Sequence, residues 1–170
     1  MPETQKNHAE NLISLIAEMV AVQKEILTAL IEKQEAIRHA DPDMLMRTTR
    51  KEQQAASRMI NLEQMRLRIV SALAEDASLD QVPQTLPEVA ILLNDEDCEK
   101  LLALSDKLKN LLLVTKRQTD VLTDAGKRLA GYLQHIRNLI QGAISSMNTY
   151  SKSGEPHITS ELSSSLDLTM

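Results

Sequence analysis

The stretch from Asn94 to Tyr150 decides the fold; it opens NDEDCEKLLALSDKLKNLLL (residues 94–113) and closes GYLQHIRNLIQGAISSMNTY (residues 131–150). No proline interrupts it, and its aliphatic residues recur at steps of mostly three and four, the spacing of one face of an α-helix. The residues with this spacing are Leu101, Leu104, Leu108, Leu111, Leu112, Leu122, Leu129, Leu133, Ile136, Leu139, Ile140, Ala143 and Met147. Such a helix would run about 80 Å, more than a compact core requires, so it must lie along other long helices with room to project beyond them.

The composition of the 170-residue chain favours helices over strands. Hydrophobic residues make up 42% of it, yet Phe and Trp are absent and Tyr132 and Tyr150 are its two aromatic side chains. A core must then be built from aliphatic residues and Met, which suits a slender helical bundle better than a compact β fold. Four glycines and five prolines are too few to punctuate many short strands. The predicted fold class is all-α.

Two shorter helices precede the long one and are predicted to form an antiparallel hairpin. The first spans about residues 4–39 and the second residues 42–75, with the sequence HADPD at their junction. Asp41 is a good N-cap, and Pro42 suits the first helical position, where its missing N–H costs nothing. Because the connection is short, the two helices should lie antiparallel and side by side. With the long helix over 95–150 they form an elongated, coiled-coil-like bundle.

A short connecting helix is predicted between the hairpin and the long helix. The connector, residues 76–94, contains two prolines, and Thr85 with Glu88 three residues later has the pattern of a capping box. The helix that this box begins is predicted over residues 86–93. We expect its aliphatic side chains to cover one end of the hairpin; they are Val89, Ile91, Leu92 and Leu93.

A polar tail follows the helices. Eight of the 20 residues in 151–170 are Ser or Thr, and we predict a flexible, disordered tail after a helical bundle over residues 1–150. The aliphatic side chains of the tail recur at four-residue steps, which is enough for a weakly amphipathic helix formed against a partner. These side chains are Ile158, Leu162 and Leu166.

The net charge of −5 is unevenly distributed along the chain. Residues 1–76 carry ten bases and twelve acids, 77–99 six acids and no base, 100–150 eight bases and three acids, and 151–170 one base and three acids. The basic last helix favours an acidic partner, but the chain as a whole is not predicted to bind nucleic acid. The single Cys98 fits a reducing compartment, and neither a membrane-spanning apolar run nor a secretory signal is visible. We therefore expect a cytoplasmic protein without membrane insertion.

The titratable side chains show no pattern typical of a metal site or an enzyme. The four histidines are far apart in sequence and lack neighbouring Cys or carboxylate groups at ligand spacing, so no metal site is predicted. Cys98 lies among acidic residues, which makes it a poor nucleophile. His135 invites comparison with a phosphotransfer histidine, but Arg137 and Asn138 stand where a lysine and a glycine are expected. No catalytic residue and no cofactor are predicted.

What remains is binding through helix surfaces. The aliphatic side chains in the last third of the long helix cover more than one narrow stripe, so packing against the hairpin need not hide them all. They are Leu129, Leu133, Ile136, Leu139, Ile140, Ala143, Ile144 and Met147. The pattern fits a core, a homodimer seam or a surface that binds another protein, and all three stay open at this point.

Two stretches carry a family resemblance. Residues 32–66, EKQEAIRHADPDMLMRTTRKEQQAASRMINLEQMR, combine a helix that ends in an acidic and apolar sequence with an Asp at the turn. The ending NTYSKSGEP places Tyr150 four residues before Gly154, ahead of a polar tail. Both stretches resemble the FlgN-type flagellar export chaperones, although Thr119 stands nearest to a position where that family often has an Asn. The other matching positions are Lys51, Leu62 and Arg66.

The resemblance implies a cytoplasmic chaperone without ATPase activity that holds hook–filament junction proteins before their export through the flagellar type III apparatus. In that family the end of the long helix and the tail bind a helical terminal segment of the substrate. The implied substrate-binding residues are Leu129, Leu133, Ile136, Leu139, Ile140, Ile144, Met147, Ile158, Leu162 and Leu166. Tyr150 matches the tyrosine that contacts the cytoplasmic domain of the export gate, and Gly154 completes that docking motif.

A second hypothesis, of a different class, follows from the same surface. The chain would be a structural coiled-coil or tethering subunit whose long helix pairs with its own copy. The two hypotheses differ in what covers the last helix, which is a substrate helix in the first and a second copy of the chain in the second.

Overall fold

The structure, a computed structural model, describes residues 3–79 and 81–148, and describes side-chain burial for residues 6–79 and 81–144. No strand occurs in this part of the chain, and the predicted all-α fold is confirmed. The helices are α1 (Glu3–Arg38), α2 (Pro42–Asp76), α3 (Leu86–Ala90) and α4 (Asp95–Asn148).

The short helix α3 differs most from its predicted length. It ends at Ala90, whereas the sequence predicts a helix over residues 86–93. The residues after it form hydrogen-bonded turns, in which the backbone N–H of Leu93 donates to the carbonyl of Ala90 at 3.1 Å. Ile91 lies in this turn with 81% of its surface exposed, so the expectation that it covers the hairpin is wrong. Val89 is buried, as expected, Leu92 and Leu93 are half-buried, and Ala90 is buried as well.

The turn between α1 and α2 is built as the sequence predicts. The carboxylate of Asp41 accepts a hydrogen bond from the backbone N–H of Met44 at 2.8 Å, and Pro42 is the first residue of α2. Ala40 has a φ of 49°, a left-handed conformation that turns the chain out of α1. The backbone N–H of Asp41 closes this turn on the carbonyl of Ala36 at 2.9 Å. The chain thereby reverses within three residues.

Polar side-chain contacts show that α1 and α2 are antiparallel, because residues 8, 25 and 32–33 of α1 contact residues 76, 58 and 51–52 of α2. Contacts of this kind near the surface contribute roughly 0–1 kcal/mol each, so they fix register more than they supply stability. The pairs are His8–Asp76 at 3.0 Å, Arg58–Glu25 at 2.8 Å, Lys51–Glu32 at 2.9 Å and Lys33–Glu52 at 2.8 Å.

One apolar core joins all four helices. It lies where the start of α1 meets the end of α2, with α3 and the first turns of α4 packed against both. Burial of these side chains stabilises the fold by about 25 cal/mol per Å² of apolar surface removed from water. The largest fully buried apolar side chains are Leu12, Ile16, Val22, Val70, Leu73, Val89 and Leu101.

The first half of α4 runs parallel to α1. Asn94 precedes α4 and accepts a hydrogen bond from the backbone N–H of Asp97 at 2.8 Å, so it caps the helix. Farther along, the Gln23 amide donates to the Thr115 hydroxyl at 2.8 Å, and the Gln118 amide donates to Gln34. Because positions in both helices rise together, α1 and this part of α4 point in the same direction.

The chain divides into two compact units, residues 1–122 and 123–170. The first contains α1, α2, α3 and α4 as far as Leu122, after which no side chain up to residue 144 is buried. The described residues of the second unit are those of the rest of α4, which ends at Asn148. The predicted end of α4 and the predicted boundary between bundle and tail, both at residue 150, lie outside the described residues and stay predictions.

The core makes a direct prediction about stability. Leu101→Ala removes a fully buried side chain from the contact between α4 and the hairpin, and we expect it to lower the free energy of unfolding by about 2–5 kcal/mol. Leu102→Ala is the matched control, because its side chain is 37% exposed and its loss should cost less than about 1 kcal/mol. Urea unfolding followed by circular dichroism measures both, and equal effects would contradict this account of the core.

Candidate protein-binding surface

One stripe of side chains on α4 is buried against the hairpin. Its members follow one another at alternating steps of three and four, the spacing of the inner positions of a coiled coil. All of them are buried or half-buried. They are Leu101, Leu104, Leu108, Leu111, Thr115, Gln118 and Leu122.

The same spacing continues in the second unit, but there the side chains are exposed. At 100° per residue the exposed apolar side chains fall within an arc about 140° wide, which is one continuous face of the helix. Between 48% and 70% of each is accessible to solvent. We call this set the exposed stripe: Leu129, Tyr132, Leu133, Ile136, Leu139, Ile140 and Ile144.

Tyr132 belongs to this stripe although the sequence analysis did not include it among the candidate site residues. It lies three residues after Leu129 and four before Ile136, so it occupies an inner position of the repeat. It is also the most exposed member, at 70%. The signal that would have found it is its position in the repeat, which a search for aliphatic residues alone overlooks.

Basic side chains border the exposed stripe. Helical geometry places Arg128 along one edge of the arc and Arg137 along the other. Neither forms an ion pair with a described residue, whereas Lys127 lies 4.0 Å from the carboxylate of Asp124. From residue 125 to residue 148 the sequence contains no acid. The stripe is therefore an apolar face with positively charged borders.

The opposite face of this part of α4 is polar. The side-chain amide of Gln134 donates a hydrogen bond to the side-chain oxygen of Asn138 at 3.4 Å, one turn away on the same side. Gly131 and Gly142 also lie on this side by helical geometry, and no atom lies within 4 Å of a Cβ added at either. The apolar character is thus confined to one face, as in a helix that packs against a partner.

The predicted substrate-binding residues fall into two groups. Six of them lie together in the exposed stripe. The other six lie outside the described side chains and stay predictions. They are Met147, the docking residues Tyr150 and Gly154, and three tail residues. The six in the stripe are Leu129, Leu133, Ile136, Leu139, Ile140 and Ile144, and the tail residues are Ile158, Leu162 and Leu166.

A second, smaller apolar groove lies between α3 and the first half of α4. Its volume is about 420 Å³. Leu86 and Pro87 form one wall, Leu108 and Leu112 form the other, and two lysines, Lys109 and Lys116, line the α4 side. The capping box holds its α3 wall in place, because the hydroxyl of Thr85 accepts the backbone N–H of Glu88 at 3.4 Å. Unlike the exposed stripe, this groove ends after about three turns of α4.

The titratable groups offer no comparable site within the described part of the chain. No group of three or more His, Cys, Asp and Glu side chains there is placed to hold a metal ion. Cys98 packs against the apolar core, and His135 is exposed on α4. Among residues 3–79 and 81–148, no helix has an apolar stretch long enough to cross a membrane.

Comparison with protein families finds a match. The family model of the FlgN protein matches residues 1–158, which include all four helices and the first part of the tail. Residues 159–170 lie outside that match. No curated protein and no solved structure matches the chain.

The glycines on the polar face allow a test of the helix stability in this part of α4. Gly131→Ala adds a methyl group into open space and should stabilise the helix by up to about 1 kcal/mol, without touching the stripe. We expect slower amide hydrogen exchange in the neighbouring turns, measured by mass spectrometry. Ala130→Gly is the reciprocal control and should speed exchange in the same peptides; no change in either variant would contradict the assigned helix.

Proposed function

The chain belongs to the FlgN family of flagellar export chaperones, and from this membership we propose that it holds hook–filament junction proteins in the cytoplasm and delivers them to the flagellar type III export apparatus. Family membership makes it a protein that binds flagellar export substrates and a member of a chaperone family, not of an enzyme family. One observation supports the finer proposal: the exposed stripe of α4, whose apolar side chains lack cover in the described chain.

The exposed stripe suits a helical ligand. Its side chains extend over about four turns of α4, from Leu129 to Ile144, and their spacing is that of helices packed side by side. A junction protein that assembles through apolar helical ends must keep those ends covered until it is exported. We assign the six stripe residues predicted from the sequence, together with Tyr132, to this contact, and Met147 and the apolar tail residues to its continuation.

The charge at the borders selects among apolar helices. A ligand helix with acidic residues beside its apolar face would place carboxylates near Arg128 and Arg137. A second copy of α4 would instead bring basic borders together, because no acid stands between residues 125 and 148. The charge pattern therefore favours a substrate helix over the self-associating tether.

Reversible binding is consistent with this surface. Burial of apolar area contributes about 25 cal/mol per Å², and a micromolar complex corresponds to about 8 kcal/mol. A complex of that strength releases its substrate at the export apparatus without a nucleotide site on the chaperone.

The proposed contact can be tested by removing two members of the stripe. Ile136→Ser combined with Ile140→Ser deletes adjacent aliphatic side chains that are about half exposed, so the helix itself should keep its stability. We expect at least about a tenfold loss of affinity for the C-terminal helical segment of a junction protein, measured by isothermal titration calorimetry.

Ile60→Ser is the matched control, since Ile60 is a similarly exposed isoleucine on α2. Its affinity for the segment should equal that of the unchanged chain. Equal affinity for all three proteins would overturn the proposed site. Sedimentation analysis tests the second hypothesis, a tethering subunit that pairs with its own copy. A tight dimer that the double substitution dissociates would favour this hypothesis.

Tyr150 is proposed to contact the cytoplasmic domain of the export gate. Tyr150→Ala should weaken binding to the purified gate domain by about tenfold or more while leaving affinity for the junction-protein segment unchanged. Tyr132→Ala is the control with the same chemistry, and we expect the opposite result because Tyr132 lies in the stripe. Surface plasmon resonance with both ligands separates the two roles; a gate affinity unaffected by Tyr150→Ala would remove this part of the proposal.

A further inference from the structure

The groove between α3 and α4, here called the α3–α4 groove, is not used by the function proposed above. It is lined by residues 85–87 and 105–116, all of which belong to the first unit, whereas the exposed stripe begins at Leu129. Its volume of about 420 Å³ lies within the range of about 300–1,000 Å³ that ligand sites occupy. It follows α4 for about 16 Å, which is long enough for a short helix of another chain to lie along it.

Both walls of the α3–α4 groove are anchored in the folded structure. On the α3 side, Leu86 packs against the apolar core, and the carboxylate of Glu88 accepts a hydrogen bond from the backbone N–H of Gln84 at 2.8 Å. On the α4 side, Leu108 is itself a core residue. A ligand therefore does not have to order these walls, and ordering is part of the free-energy cost of binding.

The apolar surface of the groove is only partly covered. Leu112 and Leu113 on its α4 side are 50% and 49% exposed, and Pro87 on α3 is also exposed. Leu108, one turn before Leu112, is 8% exposed. An aliphatic side chain placed between Pro87 and Leu112 would remove apolar area on both walls from water, and such burial is favourable.

Two lysines line the groove without an ionic partner. Lys109 and Lys116 form no ion pair with any residue that the structure describes, although Asp106 and Asp120 stand within about one turn of them on α4. By contrast, Lys100 near the start of α4 lies 2.6 Å from a carboxylate one turn away. The two groove lysines are seven residues apart, which places them about 10 Å apart along α4 and on nearly the same side of the helix.

This spacing of positive charge selects the class of ligand. A helix with acidic residues at positions seven apart presents two carboxylates on one side, with the same separation of about 10 Å. Each carboxylate can then pair with one of the two lysines. A lipid anion carries its charge at one end of its chain, so it would pair with one lysine and leave the other without a partner. The charges therefore favour an acidic protein helix.

We propose that the α3–α4 groove is a second docking surface of this chain, and that its ligand is a short amphipathic helix of another protein. Aliphatic side chains of that helix occupy the groove, and acidic side chains two turns apart pair with Lys109 and Lys116. The groove and the exposed stripe share no residue, so this inference does not rest on the proposed function. A chain with both surfaces recognises an acidic partner through residues other than those assigned to the substrate.

Two synthetic peptides test the groove in the full chain. The acidic peptide is a helix of about 15 residues with leucines at four-residue steps and glutamates seven residues apart beside them, and the basic peptide has lysine for each glutamate. Leucine methyl groups are observed by NMR. We expect the acidic peptide to shift the signals of Leu86 and Leu112, but not that of Leu67, an exposed leucine on α2. Unchanged signals at Leu86 and Leu112, or equal shifts with both peptides, would overturn the proposal.

Charge reversal at the two lysines gives a matched comparison. Lys109→Glu with Lys116→Glu should weaken binding of the acidic peptide at least about tenfold and allow the basic peptide to bind instead. Lys107→Glu with Arg117→Glu is the control, because it changes the net charge equally at exposed positions of α4 outside the groove. Its affinity for the acidic peptide should change less than about twofold, since salt screens distant charges. Equal losses in the two double variants would overturn the site.

Other occupants of the groove give different results. Shifts confined to Leu129 and Leu133 would place the acidic peptide on the exposed stripe. Sodium decanoate that shifts Leu86 and Leu112 as strongly as the acidic peptide would assign the groove to an anionic lipid chain. Shifts of these two signals with protein concentration alone would assign it to a second copy of the chain. Each of these three results would overturn the proposed helix.

Discussion

The structure depends on one constraint, which is that an apolar stripe on a helix is stable only when another surface covers it. On α4 the stripe is covered from Leu101 to Leu122, where α1, α2 and α3 supply the neighbouring side chains. It is exposed from Leu129 to Ile144, where the described chain supplies none. One periodic pattern thus builds the fold in one half of the helix and leaves an exposed apolar face in the other. Under the proposed function, stability and recognition come from the same hydrophobic effect at different places along one helix.

The contact between α1 and α4 becomes polar before it ends. Near the start of α4 the contact is made by leucines, but Thr115 and Gln118 continue the stripe and bind glutamines of α1. Gln23 is buried, and an unpaired buried amide costs about 1–3 kcal/mol, so its bond to Thr115 favours one register of α1 on α4. These polar pairs contribute less free energy than leucines in the same positions would. They lower stability, but they define the alignment of α4, which carries the exposed stripe, on α1.

Much of the fold could be predicted because the residues that begin its helices act locally. Asp41 with Pro42, and Thr85 with Glu88, act within one turn of helix, so the sequence alone places the hairpin and the start of α3. Burial that depends on tertiary contacts is harder to predict, because the sequence does not reveal that Val89 is buried while Ile91 is exposed. The candidate surface shows the same limit. Spacing grouped its aliphatic residues on one face, but only packing distinguishes an exposed stripe from a buried one, and the search for aliphatic residues passed over Tyr132.

The composition of the exposed stripe has a consequence for a chaperone that must let its substrate go. Aromatic anchors dominate the energy of tight interfaces, and the described stripe has one, Tyr132, among six aliphatic side chains. Leu and Ile side chains bury area without demanding a specific partner geometry, so different apolar helices can occupy the same face with modest affinity. Under the proposed function, selection then falls to the charges at Arg128 and Arg137. These act at longer range than packing and weaken as salt screens them, so they guide the substrate to the surface more than they retain it there.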